Sequence, residues 1–366
     1  MRKNIIFPIL FFILVIFPAI AVFADEQTEK KPVASKIKSK FYFQGSYLSN
    51  FNNPENGRND YRVFDQKDNT LSIDLLEALV YQEANQDSNF GFRLKVTGGE
   101  TARYIHARGL GKPGDVIDLT EASLSYAFPG SDGRFKATVG KMCSFIGAEV
   151  IEAVDDPNYS RSFLYGYAEP ITLTGAKLSY DLSSRVNACL HYVNGWDTFN
   201  GSYKSGTVGL NLNVTHSDNF CSSFNILNGP EQNNNTFNNL FLFDWVGTIK
   251  TGGNLTFLLN YDYGKEQQAL ADGLNASWSG FAAIAKYDFT KRFSFALRGE
   301  YFNDPEGFRT GTPQTLKEFT LSPQFNIGSN TVLRPEYRYD WSDKNSFNQG
   351  QNKSQGTLSL NIMVTY

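Results

Sequence analysis

Hydrophobic and polar positions alternate with a period of two along much of the chain. In residues 355–366, Leu358, Leu360, Ile362, Val364 and Tyr366 fall on one face, and Thr357, Ser359, Asn361, Met363 and Thr365 fall on the other. That period belongs to a strand with one apolar face. In 90–98, Phe90, Phe92, Leu94 and Val96 oppose Gly91, Arg93, Lys95 and Thr97. In 254–264, Leu255, Phe257, Leu259, Tyr261 and Tyr263 oppose Asn254, Thr256, Leu258, Asn260 and Asp262. In 331–341, Leu333, Pro335, Tyr337, Tyr339 and Trp341 oppose Arg334, Glu336, Arg338 and Asp340. Taken in order, the pattern predicts 16 strands: 41–49, 70–84, 90–98, 118–128, 134–141, 171–182, 185–194, 206–215, 219–228, 238–249, 254–264, 277–289, 293–304, 316–327, 331–341 and 355–366. Two alternate poorly. One carries Glu77 among Leu71, Ile73, Leu75 and Leu79, and the other falters around Gly175 and Lys177. A bulge or a subunit contact would account for either.

The connections alternate in length. Turns of a few residues follow every second strand, and between them lie longer loops at 50–69, 99–117, 142–170, 195–205, 229–237, 265–276, 305–315 and 342–354. Short turns on one rim and long loops on the other are the mark of a membrane barrel. A soluble sandwich has no need to confine its long connections to every second position. Sixteen strands enclose a lumen too wide for side chains to fill. The apolar face therefore belongs outside, and a wide polar lumen inside makes a channel. The expected fold is all-β: a 16-stranded antiparallel transmembrane β-barrel, an up-and-down meander with short periplasmic turns and long extracellular loops. Tyr261, Tyr263, Trp278, Tyr337 and Trp341, near strand ends, are expected in the interfacial girdles.

The start of the chain fits export. Arg2 and Lys3 precede an apolar run from Ile5 to Val22, and Ala24 is followed by Asp25 and Glu26. Residues 1–24 read as a cleaved signal peptide, and 25–40, polar and lysine-rich, as a periplasmic lead-in to the barrel at 41–366. A mean hydropathy of −0.35 leaves no room for a helical membrane bundle, and 31 Phe, 19 Tyr and 31 Gly suit a β-rich chain. The net charge of −3 argues against a nucleic-acid partner. Cys143, Cys189 and Cys221 show no metal spacing. Cys189 and Cys221 fall two strands apart, about 10 Å at the usual strand spacing, beyond the reach of a disulfide. Free thiols are expected.

A family resemblance rests on VGKM, GAEV, NYSRS and EPITLTGAKLSY within 134–180, and on FDQKDNTLSIDLLEALV at 64–80. These segments resemble the β-barrel porin-2 (OmpL-like) family over most of the chain. The aromatic Tyr366 at the end of the last strand likewise resembles the closing strand of bacterial outer-membrane barrels, which acts as a signal for the barrel-assembly machinery. The resemblance implies a passive channel for small hydrophilic solutes and ions, embedded among the outer-membrane lipids of a Gram-negative bacterium. It names no cofactor and no enzymatic activity. The wider porin architecture adds an expected homotrimer and a third long loop folded into the lumen.

Placed in this way, loop 142–170 brings Glu149, Glu152, Asp155 and Asp156 into the pore with Arg161 as the basic residue among them, facing Arg93, Lys95, Arg298, Arg334 and Arg338 on the wall. Opposed charges across a constriction orient water and weight ion selectivity. The plainer reading is that these wall charges pair with Glu300, Glu336 and Asp340 and stay solvated. Tyr159, Phe163, Tyr165 and Tyr167 keep open a substrate-specific channel, for instance for oligosaccharides, in which rings stack on the solute. A non-channel adhesive or structural barrel is the third reading. His106, His191 and His216 lack a matched Ser or Cys motif, so a hydrolase is a weak alternative. No metal-ligand set is assigned.

Overall fold

The computed structural model describes residues 37–200 and 205–366. The segment read as a signal peptide lies outside them. Sixteen strands follow one another: β1 (Lys38–Asn50), β2 (Thr70–Gln82), β3 (Phe90–Gly98), β4 (Ile117–Ala127), β5 (Phe135–Cys143), β6 (Thr172–Ser183), β7 (Val186–Val193), β8 (Thr207–Ser217), β9 (Phe220–Pro230), β10 (Asn239–Lys250), β11 (Leu255–Glu266), β12 (Ala276–Asp288), β13 (Phe293–Asp304), β14 (Gln314–Ile327), β15 (Thr331–Ser342) and β16 (Ser354–Thr365). Each pairs antiparallel with its sequence neighbours, and β1 closes on β16 from Tyr42 opposite Thr365 to Asn50 opposite Thr357. Closure leaves no edge strand, which a bilayer demands because hydrocarbon offers unpaired N–H and C=O groups no partner. The strands lie within three residues of their predicted ends. β1 starts at Lys38, so the last residues assigned to the lead-in are strand.

The two faces follow the alternation. On β16, Leu358 is 50% exposed and Leu360 49%, while Ser359 and Asn361, on the inner face, are 5% and 0% exposed. The same outward apolar band continues through Leu94 and Val96 on β3, Leu210 and Leu212 on β8, and Phe281 on β12. In water such a band would be an open liability; in a bilayer it is the solvent-facing surface.

The poor match in β2 is a bulge. Gln44 of β1 pairs with Leu75 and Gly45 with Ile73, so Asp74 opposes no residue. Leu71 and Ile73 point outward before it, Leu76 after it, and Leu75, Glu77 and Leu79 turn inward. One inserted residue thus moves the later hydrophobics to the other face. β4 carries the same device at Thr120, between the pairs Lys95–Glu121 and Val96–Leu119. β6 has no bulge near Gly175. Gly175 instead pairs with Gly140, and a Cβ on Gly175 would lie 2.2 Å from the Tyr192 carbonyl oxygen. Glycine there permits close backbone approach.

Aromatic rings ring the barrel. Phe90, Tyr126, Phe128, Phe135 and Tyr180 form a continuous contact chain at the short-turn rim. Phe319, Tyr337, Tyr339 and Trp341 form another toward the long loops. Trp278 is not in either girdle. It occupies an inward position of β12, is 1% exposed, and packs on Phe308 and Trp196. The three cysteines are free.

Candidate pore and third loop

The connection between β5 and β6 turns into the barrel and is held there group by group. The Gly147 and Ala148 N–H groups donate to Asp244 on β10 at 3.2 Å and to Asn260 on β11 at 2.8 Å. Glu149 accepts from Arg298 on β13 at 2.9 Å. Glu152 pairs with Lys95 on β3. The Ala153 carbonyl accepts from Arg334 on β15 at 2.8 Å. Asn158 donates to Ser322 on β14 at 2.7 Å. The Tyr159 hydroxyl reaches Ser46 on β1 at 2.9 Å and Asp74 on β2 at 3.0 Å. The loop therefore spans the lumen from the β10–β11 wall to β1 and β2.

Two wall carboxylates serve as anchors for loop backbone. Glu336 accepts the Tyr159 and Ser160 N–H groups at 2.7 and 2.9 Å, and Glu300 accepts those of Phe163 and Leu164 at 2.7 Å each. The wall bases serve its carbonyls: Arg298 donates to Ser160 at 2.7 Å and Arg338 to Arg161. Apart from one helical turn at Leu164–Ala168, the buried loop has no regular secondary structure and must satisfy its backbone from side chains, and the lumen-facing charges do so here.

This arrangement corrects the expected geometry. Arg298, Arg334, Arg338 and Lys95 do not face the loop acids across water; they are buried beneath the loop and in contact with it. They are not solvated, as the plainer reading also required. Asp340 accepts from Arg338 at 2.6 Å and from Arg62 of the first long loop at 2.7 Å. Asp156 accepts from Arg161 at 3.1 Å and from the Val150 N–H at 3.1 Å. Burial nonetheless pushes the Asp156 carboxyl up to about 8, against the pull of Arg161. Asp155 remains exposed, beside Tyr42 and Lys40. Arg93 stays partly open and pairs with Glu121 at 3.2 Å.

The lumen is also less polar than the strand pattern implies. Phe163, Leu164 and Ala168 of the loop pack in one cluster with Leu227, Leu242, Ala282 and Phe302 of the wall. Gly280 makes room, since a Cβ there would lie 2.5 Å from the Leu164 side chain. Phe163 is buried in this cluster, Tyr159 in a second one with Ala153 and Met363, and Tyr165 is buried as well, so these rings do not present stacking faces to a solute. The first long loop lies against the third: Arg161 sits over the rings of Phe64 and Tyr165.

The loop leaves one stretch of wall uncovered. A cavity of about 480 Å³ runs from β2 to β8, lined by Arg93, Glu121, Lys136, Lys177, Cys189 and Asn211 among others. It shares Asn187 and Asn213 with a cavity of about 560 Å³ at the short-turn rim, and Arg93, Glu121 and Cys143 with one of about 160 Å³ under the third loop. Lys136 and Lys177 were not singled out from the sequence as pore residues, although both sit at inward positions. Glu318, which binds Arg298 at 2.7 Å, and Arg62 were also missed. Alternation could have placed Glu318 and the lysines. Arg62 lies in a loop, where no periodicity points to it.

Of the histidines, His106 bonds Asp118 at 2.8 Å, His216 bonds Ser222 at 2.7 Å, and His191 stacks on Phe145. Among the described residues none has both an acid and a hydroxyl partner.

A closed 16-stranded antiparallel barrel with an apolar exterior, polar wall groups and an in-folded loop defines an outer-membrane β-barrel channel. Residues 36–366 match the family model described as Putative beta-barrel porin-2, OmpL-like, and the chain belongs to that family. It is a Gram-negative outer-membrane porin. Similar solved structures share the fold. The anion-selective porin from Comamonas acidovorans superposes with a TM-score of 0.64 at 9% identity, covering 90% of this chain and 99% of that one. Salmonella typhi OmpF, in complex with daunomycin, gives 0.60 at 11%, covering 91% and 98%. OmpT of Vibrio cholerae, an outer-membrane protein, gives 0.60 at 10%, covering 93% and 100%. No curated protein sequence matches this chain significantly.

Proposed function

We propose that the barrel is a passive diffusion pore for small hydrophilic solutes and ions, with its short turns in the periplasm and its long loops outside. The third loop is its constriction. It narrows the lumen by covering β1–β3 and β10–β16, which confines passage to the β3–β8 side. The observation that carries this reading is the series of adjoining cavities along that side, the middle one polar. The wall there is Ser-, Thr- and Asn-rich, without the ring platforms that sugar selection uses. Its free charge is positive. Arg93 is matched by Glu121 and Glu83, while Lys136 and Lys177 have no ion-pair partner among the described residues. A wall of that sign favours anions. A homotrimer fits the same architecture, as one in-vitro-folded form of Vibrio cholerae OmpT is trimeric.

Liposome swelling with a size series of neutral sugars and amino acids tests the reading. Rates that fall smoothly with solute size are expected. A single solute class that breaks the size order would indicate a specific channel, and no swelling by a verified folded barrel would overturn the pore altogether.

A further inference from the structure

Three carboxylates converge where the end of the third loop meets the barrel wall. Glu169 comes from the loop, Asp244 from β10 and Asp262 from β11, and one oxygen of each lies within 4.8 Å of the other two. All three are buried. Asp244 and Asp262 are direct partners across the β10–β11 ladder, a position where like charges are destabilising.

Their surroundings treat them differently. Asp244 accepts from Asn225, from Asn260 at 2.7 Å and from the Gly147 N–H at 3.2 Å. Asp262 is 0% exposed, yet neither of its oxygens has a hydrogen-bond donor, and Glu169 Oε1 has none either. The charged groups that weigh on Glu169 are Asp244, Glu149 and Glu300, all acidic. Unpaired carboxylates are costly to take out of water, so the cluster must be neutralised, by a bound cation or by protons. The backbone also keeps space for Glu169. Gly147 has φ +91°, and a Cβ there would lie 1.7 Å from Glu169 Oε2.

The donor set is three anionic oxygens with no nitrogen or sulfur, the preference of a hard divalent cation. Calcium, with longer bonds of about 2.3–2.6 Å and flexible coordination, suits oxygens fixed on two strands and a loop better than magnesium, which demands a near-ideal octahedron at about 2.0–2.1 Å. We propose that Glu169, Asp244 and Asp262 bind one Ca²⁺, which clamps the end of the third loop to β10 and β11. Water would complete its coordination. The clamp does not depend on which solutes the pore passes.

The test is calorimetric titration of CaCl₂ into the full chain, refolded in detergent and stripped with EDTA, together with thermal unfolding with and without Ca²⁺. One Ca²⁺ per barrel and a melting temperature raised by several degrees are expected, with Mg²⁺ binding more weakly. Asp262→Asn should weaken binding about 10-fold or more. Glu169→Gln, in the loop, should do the same without touching the barrel ladder, and far-UV circular dichroism verifies that each variant is folded. A stripped wild-type barrel that takes up no Ca²⁺ would overturn the proposal. So would a wild-type affinity in both folded variants, or a melting temperature that responds to pH but never to Ca²⁺, which would mean that the three acids share protons.

Discussion

Arg298 on β13 reaches Glu149 of the third loop at 2.9 Å and Glu318 on the neighbouring strand at 2.7 Å, and all three side chains are buried. One guanidinium thus ties the loop to the wall and neutralises two carboxylates. Removing it strips Glu149 of its cation and leaves Glu318 only the longer contact to Arg338 at 3.8 Å, a loss of roughly 3–5 kcal/mol. Arg298→Ala should therefore lower the melting temperature and release the loop, giving a larger and noisier single-channel conductance. Glu149→Gln keeps one acceptor oxygen, enough for Arg298 or for the Ser162 N–H but not both, and should cost less, about 1–3 kcal/mol. Equal, wild-type conductance and melting in both variants would show that the contact does not hold the loop.

Selectivity should follow the uncovered wall. Lys136 and Lys177 face the open cavity, whereas the wall arginines of β13 and β15 are buried under the loop, Arg298 and Arg338 in ion pairs and Arg334 bonded to Gln324 and the Ala153 carbonyl. In a salt gradient, reversal potentials of the Lys136→Glu, Lys177→Glu double variant should move from anion toward cation preference. Arg334→Gln, buried under the loop, should shift the potential much less. The opposite ranking would place the ion path on the other side of the lumen.

The loop after β7 carries a pH response. Asp197 accepts the Ile171 and Thr172 N–H groups at 2.8 and 2.7 Å, fixing the point where the third loop re-enters β6. Burial pushes its carboxyl up from 3.8 to about 6. The folded state therefore holds this proton more tightly than the unfolded state does. The contribution is complete below pH ~4 and is lost as pH rises through about 6, on the order of 3 kcal/mol in all. Asp197→Asn retains the acceptor oxygen and should flatten that part of the profile. Melting curves at pH 4 and pH 7.5 compare the two; equal pH slopes would contradict the assignment.

Much of the barrel was legible in the sequence because a bilayer allows few alternatives. Backbone must be paired, outward residues must be apolar, and the period of two is then forced on each strand. The same alternation placed Arg334, Glu336, Arg338 and Asp340 on the inner face. It failed at Asp74, where a bulge inverts the faces midway, and at Trp278, where an aromatic near a strand end faces inward onto loop residues. What covers the inner face was not legible. The route of the third loop is set by contacts between residues more than a hundred positions apart, such as Glu149 with Arg298 and Tyr159 with Glu336. Glu169 passed unnoticed beside Pro170, because its partners Asp244 and Asp262 become its neighbours only when the loop is folded in.

The claim that solutes pass along the β3–β8 side has a built-in reporter. Cys189 on β7 lines the open cavity, half-buried, with its thiol near Asn187 at 3.4 Å. The decisive measurement is single-channel current through the refolded barrel in a planar bilayer before and after a negatively charged methanethiosulfonate reagent. The expected result, in a Cys143→Ser background because Cys143 lines the same cavity, is stepwise conductance that falls on modification and does not change when Cys189→Ser is added. Steps that persist undiminished after mass spectrometry has verified modification of Cys189, or a folded barrel that gives no steps at all, would contradict it.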